Sequence, residues 1–411
     1  MYSIFIAVIL LLLVDLYFFQ AVKTLFKNFS FPFTAIVYVF YWAVTAAGFA
    51  FAITYRILPE DGPFKSVKLY GLSILLIFSF CKLLGILPLI ADDFTRLIKW
   101  SVSLWSVKVK HSGGEAISRS KFLSQLAFVI AAIPFAAFLY GMIKGAFNYQ
   151  VRTSRLILPD LPPSFKGIKI VQISDLHLGS FISLSPVKKA VDIIKAQNAD
   201  LIFFTGDLVN FRSNEAEQFI QILSDIKAPL GVYSIFGNHD YGHYYSNWKD
   251  EGERLASVER IKEIYSELGW KLLLNGNHII SKNDDKIAIV GVENWSAVMR
   301  FPKYGNLEKA VKGLDDISFK MLLSHDPSHW KAQVAGKKKD VAVTFSGHTH
   351  GMQFGVEIPG LKWSPVQYIY KQWAGLYNYG SQYLYVNRGL GFIGYLGRVG
   401  ISPEISVFTF V

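Results

Sequence analysis

The stretch IKIVQISDLHLG, Ile168–Gly179, decides how the second half of this 411-residue chain is read. Its first seven residues are short, apolar and rich in β-branched side chains, the texture of a buried strand. The strand then runs into Asp175-Leu176-His177. Residues i and i+2 of an extended segment face the same side, so Asp175 and His177 can reach one metal ion together.

The same texture recurs outward from that point. ADLIFFTG (199–206), GVYSIFG (231–237), KIAIVGV (286–292), FKMLLSH (319–325), VAVTFSG (341–347), QYLYVNRG (382–389) and ISVFTFV (405–411) read as strands. PVKKAVDIIKAQN and NEAEQFIQILSDI, between the early ones, have helical spacing. Strand–helix alternation predicts a layered α/β fold. The last strands have no helices between them, which predicts antiparallel pairing there. The proline-rich LPDLPPSF, Leu158–Phe165, reads as a linker or turn.

Polar groups collect where these strands end. TGD brings Asp207; FGNHD brings Asn238, His239 and Asp240; LSHDP brings His325; FSGHTHG brings His348 and His350. Ligands of layered α/β proteins bind beyond the carboxyl ends of strands, so five strands converge on one rim. Carboxylate oxygen and neutral imidazole suit Mn, Fe, Zn, Co or Ni better than Ca or Mg. The single cysteine, Cys81, lies in an apolar run, which excludes a thiolate zinc site and an intrachain disulfide.

The ordered set D-x-H, GD, GNHD, SHDP, GHTH resembles the calcineurin-like metallophosphoesterase superfamily, and its bacterial membrane-anchored branch in particular, over residues 150–411. The resemblance implies a four-layer αββα sandwich and two divalent metal ions of uncertain identity. It implies that Asp175, His177, Asp207 and His350 hold one metal, and that Asp207, Asn238, His325 and His348 hold the other, with Asp207 bridging. His239 would contact the phosphoryl group and Asp240 would orient it. A hydroxide shared by two metals would attack phosphorus in line. The tail YVNRGLGFIGYLGRVGISPEI is similar to that branch, making Arg388 and Arg398 candidate substrate contacts; His243, just behind GNHD, is a third. Purple acid phosphatases carry a tyrosine where this chain has Asn210, so a purple iron site is not expected. The branch often has glycine where this chain has Met352.

The first 149 residues read as a separate, all-helical transmembrane domain. Four runs reach the roughly 20 apolar residues that a span needs, at about 2–22, 31–54, 69–91 and 122–142. The first lacks a basic start and a cleavage site, which predicts a retained anchor. Asp15 and Lys82 interrupt the first and third runs, as a functional pocket or as a pair holding the bundle. Lys23, Lys27, Arg96, Lys99, Lys108, Lys110, Arg119 and Lys121 flank one side of the spans; Arg56, Lys65 and Lys68 flank the other, joined by Lys144, Arg152 and Arg155 after the fourth. That bias predicts an integral cytoplasmic-membrane protein with its catalytic domain outside the cytoplasm. The net charge of +11 fits membrane-flanking lysines and arginines, or attraction of anionic head groups and phosphorylated substrates.

These readings together predict a membrane-embedded, dinuclear-metal phosphoesterase. Its substrate would be a phosphomonoester or phosphodiester, extending to a lipid or lipid-linked envelope molecule. Membrane lipids are the expected partners, and nucleic acid is not. LKWSPVQYIYKQWAGLYNYG, Leu361–Gly380, could form an interfacial aromatic belt or pack plainly. A cytoplasmic-facing pyrophosphatase on a nucleotide-linked lipid of the UDP-diacylglucosamine type is the rival reading, followed by a non-catalytic scaffold and a transporter.

Overall fold

The computed structural model describes residues 2–55, 57, 58, 64–103 and 119–411; Arg56, Lys108, Lys110 and His111 lie outside them, as does the side chain of Arg119. The chain divides into two compact units, Met1–Tyr140 and Gly141–Val411.

The first unit is built on α1 (Tyr2–Phe26), α2 (Phe31–Thr54), α3 (Phe64–Ser103) and α4 (Arg119–Ile143), whose last residues pass into the second unit. Each contains a stretch long and apolar enough to cross a membrane. At 1.5 Å per residue the 40-residue α3 is about 60 Å long, roughly twice the hydrocarbon thickness of a bilayer. It therefore extends well beyond Ala91, carrying Asp92, Asp93 and Arg96 on its extension. Inside the bundle Lys82 and Asp15 form an ion pair. The same carboxylate accepts a hydrogen bond from Thr45 Oγ1 at 2.9 Å, and Tyr41 donates to the Asp15 carbonyl at 2.8 Å. A charge in an apolar medium persists only when paired, and here α1, α2 and α3 all contribute.

The second unit contains two six-stranded sheets. The first uses β1 (Gln150–Leu156), β2 (Lys169–Ile173), β3 (Leu201–Phe204), β4 (Val232–Ser234), β5 (Lys271–Leu272) and, later in the chain, Glu404–Phe410. The second uses β6 (Gly276–Lys282), β7 (Asp285–Gly291), β8 (Lys320–Leu323) and β9 (Val341–Ser346), then Gly375–Tyr379 and Gln382–Val386. A small hairpin, β10 (Val356–Ile358) and β11 (Leu361–Trp363), stands apart. Numbering the remaining strands β12, β13 and β14, the sheet orders are β1-β14-β2-β3-β4-β5 and β12-β13-β9-β8-β7-β6.

The sheets face each other across an apolar core. Phe345 of the second sheet touches Phe203 and Phe408 of the first, with ring centroids 4.9 and 5.1 Å apart. The helix Ser185–Lys195 turns Val187, Ala190, Val191 and Ile194 inward, the spacing of an amphipathic helix against a sheet. On the outer face of the second sheet, Trp330 and Leu314 cover Val290 and Leu322. This is the four-layer arrangement of helices around paired sheets.

Two expectations change. The late strands are only partly antiparallel: β12–β13 and β14–β2 are, but β13 joins β9 in parallel and β14 joins β1 in parallel. The proline-rich stretch is not a free linker either. Leu158, Leu161 and Phe165 are buried in the core between the sheets, because its prolines set a turn that points these apolar groups inward.

Candidate metal centre

The site forms where β2, β3, β4, β8 and β9 end, three strands from one sheet and two from the other. Their carboxyl ends share a rim, and each leaves into a tight loop. Asp175, His177, Asp207, His348 and His350 all have left-handed backbones, with φ between 47° and 71°. Such conformations cost of order 1 kcal/mol or more in a non-glycine residue, and they persist where the surroundings over-determine them. Two glycines make room. A Cβ on Gly237 would lie 2.1 Å from Asp207 Oδ1, and one on Gly347 would lie 2.3 Å from Asp175 Oδ2.

The side chains assemble into two groups able to hold a cation: Asp175, His177 and His350, and Asp207, His325 and His348. In the first, His177 Nε2 is 3.0 Å from His350 Nε2, which is 3.2 Å from Asp175 Oδ1. In the second, His325 Nε2 lies 3.1 Å from Asp207 Oδ2 and 3.3 Å from His348 Nδ1. Asp207 Oδ2 also lies 3.6 Å from His177 Nε2, so one carboxylate oxygen spans both groups.

The histidines are held from behind. His177 Nδ1 is 3.1 Å from Asn210 Oδ1, and His325 Nδ1 is 2.7 Å from the Thr205 carbonyl. Each contact takes an N–H at Nδ1 and leaves the Nε2 lone pair free for a cation. His348 is reversed: its Nε2 is 2.9 Å from the Tyr370 hydroxyl and 3.4 Å from Asp326 Oδ2, while Nδ1 faces the site. Tyr370 also donates to Asp326 at 2.9 Å. Burial drives His177 well below the usual imidazole range and His348 down to about 4. For His325 burial acts the same way, but the Asp207 charge and hydrogen bond outweigh it and push this ring up to about 10.

A divalent cation fits these groups. Asn238 Oδ1 is buried without a hydrogen-bond partner, a costly state unless something positive meets it. Imidazole nitrogens of His177, His350 and His348 crowd with His325 around the Asp175 and Asp207 carboxylates. The donor set of nitrogen and oxygen, with no sulfur, suits a borderline transition metal.

His239 sits beside both groups. Its Nδ1 is 2.7 Å from the Asn210 carbonyl and its backbone N–H donates to Asp207 Oδ1 at 2.8 Å. Asp240 does not orient it. The Asp240 carboxylate instead accepts backbone N–H groups from Asp207, Leu208 and Gly237 at 2.9, 2.8 and 2.8 Å, tying the ends of β3 and β4 together. Burial and the Asp207 charge push this carboxyl up to about 7 against those N–H donors. It turns away from His239 because the three converging donors claim both of its oxygens.

The arginines also fall elsewhere. Arg388 is enclosed by Glu357 and Glu404, which occupy its guanidinium fork. Arg398 is 2% exposed and donates to the Gly389 and Gly391 carbonyls, with Nη2 3.3 Å from His350 Nδ1, so it braces the ligand loop from below. His243 packs on Tyr304 at 2.8 Å outside the pocket. The cavity over the metal groups, about 230 Å³, is walled by Arg300, Phe301, Met352, Val366, Ile369 and Ile393. Arg300 carries no motif, and only folding brings it there. Asp326 follows His325 directly, and a search for carboxylates behind ligand histidines would have found it.

Known proteins place this assembly. Residues 1–146 match the family described as "Probable Calcineurin-like phosphoesterase, transmembrane domain", and residues 168–352 match "Calcineurin-like phosphoesterase". The uncharacterized metallophosphoesterase YkuE of Bacillus subtilis is 31% identical over 302 residues, covering 71% of this chain and 97% of that protein. The phosphodiesterase YaeI of Escherichia coli is 27% identical, covering 72% of this chain and 100% of its own. A transmembrane protein with metallophosphoesterase domain from Danio rerio is 28% identical over 72% of this chain, and the match spans 64% of that relative's length. The chain therefore belongs to the calcineurin-like metallophosphoesterases, metal-dependent phosphoester hydrolases, and joins that catalytic domain to a four-helix transmembrane domain.

Proposed function

We propose that this protein hydrolyses a phosphomonoester or phosphodiester at a centre of two divalent metals, acting on a lipid or lipid-linked substrate on the extracytoplasmic face of the membrane. The observation that carries the dinuclear reading is Asp207 Oδ2, within 3.6 Å of His177 and 3.1 Å of His325. Asp175, His177 and His350 would hold one ion; Asn238, His325 and His348 would hold the other, with Asp207 common to both. Bound there, the ions supply Lewis acidity to phosphoryl oxygens and acidify water toward neutral pH.

The protein's own groups do the rest. The Asn210 carbonyl takes the Nδ1 proton of His239, so Nε2 is the nitrogen offered to the substrate. Burial lowers the His239 pKa, and the Asp207 charge opposes that shift. An arriving phosphoryl group adds negative charge beside the ring and favours its protonated form. His239 then holds a proton at Nε2 for the departing oxygen. The lipid reading is supported by the spans and by the apolar pocket wall, where Met352 and Ile369 are 54% and 57% exposed. The proposed aromatic belt is weaker support, since Tyr370 and Trp373 of that stretch are core residues and Tyr368 alone of these three is exposed.

Manganese-dependent hydrolysis of bis(p-nitrophenyl) phosphate by the full chain tests the chemistry. It should fall by at least a thousandfold in Asp207→Ala, and retained turnover would remove Asp207 from the centre. A periplasmic-only reporter fused after Val411 should be active; a cytoplasmic signal would turn the domain inward.

A further inference from the structure

We infer that Arg300 is the phosphate-binding cation of this pocket, and that the wall around it selects a phosphomonoester of an aliphatic alcohol. This rests on the phosphoesterase reading and goes beyond it by naming the residue and the alcohol. Arg300 leads into the pocket from the loop after β7. The loop is closed at its base, where the Asn294 carbonyl accepts the Tyr304 and Gly305 N–H groups and Asn294 Nδ2 donates to the Pro302 carbonyl at 2.8 Å. At its tip, Phe301 N–H donates to the Val298 carbonyl at 3.1 Å, forming a turn. The Phe301 ring stands edge-on to the metal-group residue His348, centroids 4.6 Å apart, and the Arg300 guanidinium lies 4.7 Å from that ring. The aromatic ring thus anchors the arginine beside the centre.

The charge at Arg300 is uncommitted. Among the described residues it makes no ion pair, whereas Arg388 has two carboxylates and Arg152 has Glu357. Among the described residues it is the only arginine or lysine lining the cavity. A guanidinium fork matches two phosphoryl oxygens, and a monoester dianion offers the greatest gain.

The remaining wall says what the phosphate is attached to. Phe301, Met352, Val366, Ile369 and Ile393 present hydrocarbon. The uncharged polar wall groups are spoken for: Thr349 donates to the Trp373 carbonyl at 2.6 Å and Tyr370 to Asp326. With those two hydroxyl protons already committed, the wall away from the metal groups offers little to the hydroxyls of a sugar or the edge of a base, so burying such a leaving group would strand polar atoms. An alkyl chain loses nothing on entering. In the reaction, water oxygen bonds to phosphorus, the bond from phosphorus to the chain oxygen breaks, and the alcohol leaves with a proton.

The test uses the full-length, Mn-loaded protein in detergent, with hexyl phosphate and glycerol phosphate as paired substrates. Wild type should favour hexyl phosphate at least tenfold in kcat/KM. Arg300→Gln should raise KM for hexyl phosphate about 10- to 100-fold. It should weaken inorganic phosphate binding, read by calorimetry, by a similar factor at unchanged metal content and melting temperature, with Arg300→Lys between. Ile369→Ser should erode the hexyl preference. Unchanged phosphate binding in Arg300→Gln overturns the arginine assignment, and equal kcat/KM for the two substrates overturns the aliphatic one. Absence of turnover of hexyl phosphate, glycerol phosphate and bis(p-nitrophenyl) phosphate alike by Mn-loaded wild type is the separate result that would sink the phosphoesterase reading itself.

Discussion

Asn210 lies on the edge of the centre and holds two of its rings at once. Its Oδ1 takes His177 Nδ1–H, its backbone carbonyl takes His239 Nδ1–H, and its Nδ2 donates to Ser180 Oγ at 2.9 Å. Asn210→Ala removes the first and third contacts and spares the second. Two buried groups, on His177 and Ser180, lose their partner, which should cost about 1–3 kcal/mol of stability. His177 loses the contact that fixes its tautomer, and loss of such a partner typically weakens metal binding 10- to 100-fold, or about 1.4–2.8 kcal/mol. His239 keeps its own anchor. Titration of Mn(II) against a fluorescent chelator should therefore show the weaker affinity, while kcat at saturating Mn recovers to within a few-fold of wild type. Asn210→Asp keeps an acceptor and should bind Mn nearly as wild type does. Unchanged Mn affinity in the alanine variant would refute the role given to Oδ1. A kcat that stays collapsed at saturating Mn would refute the separation of the two histidines.

Two further outcomes follow from charges. His325 is pushed up to about 10 by Asp207, so the metal-free protein carries a proton there at pH 8. Its folded pKa is raised; the stability from this charge pair is fully present below the unfolded value near 6.5 and is lost as pH rises through about 10. Metal uptake must displace that proton, so Mn affinity should climb with pH between about 7 and 10 with proton release, read by calorimetry in buffers of different ionisation enthalpy. A release of no protons at pH 8 would contradict the His325–Asp207 pair. In the membrane unit, Lys82→Met leaves Asp15 with hydroxyl partners alone and should cost about 3–5 kcal/mol, seen as a lower melting temperature in detergent. Lys82→Met with Asp15→Leu should recover most of the loss, and a double variant as unstable as the single one would show that the pair does more than hold the bundle.

Much of this was legible in one dimension because the chemistry recurs at a simple position, the short loop just beyond a strand. Asp175, Asp207, Asn238, His325 and His348 each follow an apolar run, and the carboxyl ends of such runs share a rim in a layered α/β fold. The spans were legible for a similar reason, since a bilayer demands about 20 apolar residues in a row. Reach and direction were not legible. Arg388 and Arg398 stand in a suggestive motif, yet burial turns Arg388 onto Glu404 and ties Arg398 Nε and Nη2 to the Gly389 and Gly391 carbonyls before any substrate arrives. Asp240 looks like the orienter of its neighbour His239, but three backbone donors from two loops converge on it first.

From the sequence alone came the fold class, the family, the membrane-spanning runs and the residue types that gather in the two candidate cation-holding groups. Tertiary structure alone decided that Asp15 meets Lys82, that Asn210 anchors two histidines, and that Arg300 overhangs the site. The physical reason is sequence separation: Arg300 and His348 are 48 positions apart, and Asp15 and Lys82 are 67 apart, and neither distance has a periodicity to read. Their meeting depends on how sheets and helices pack, a property of the whole chain.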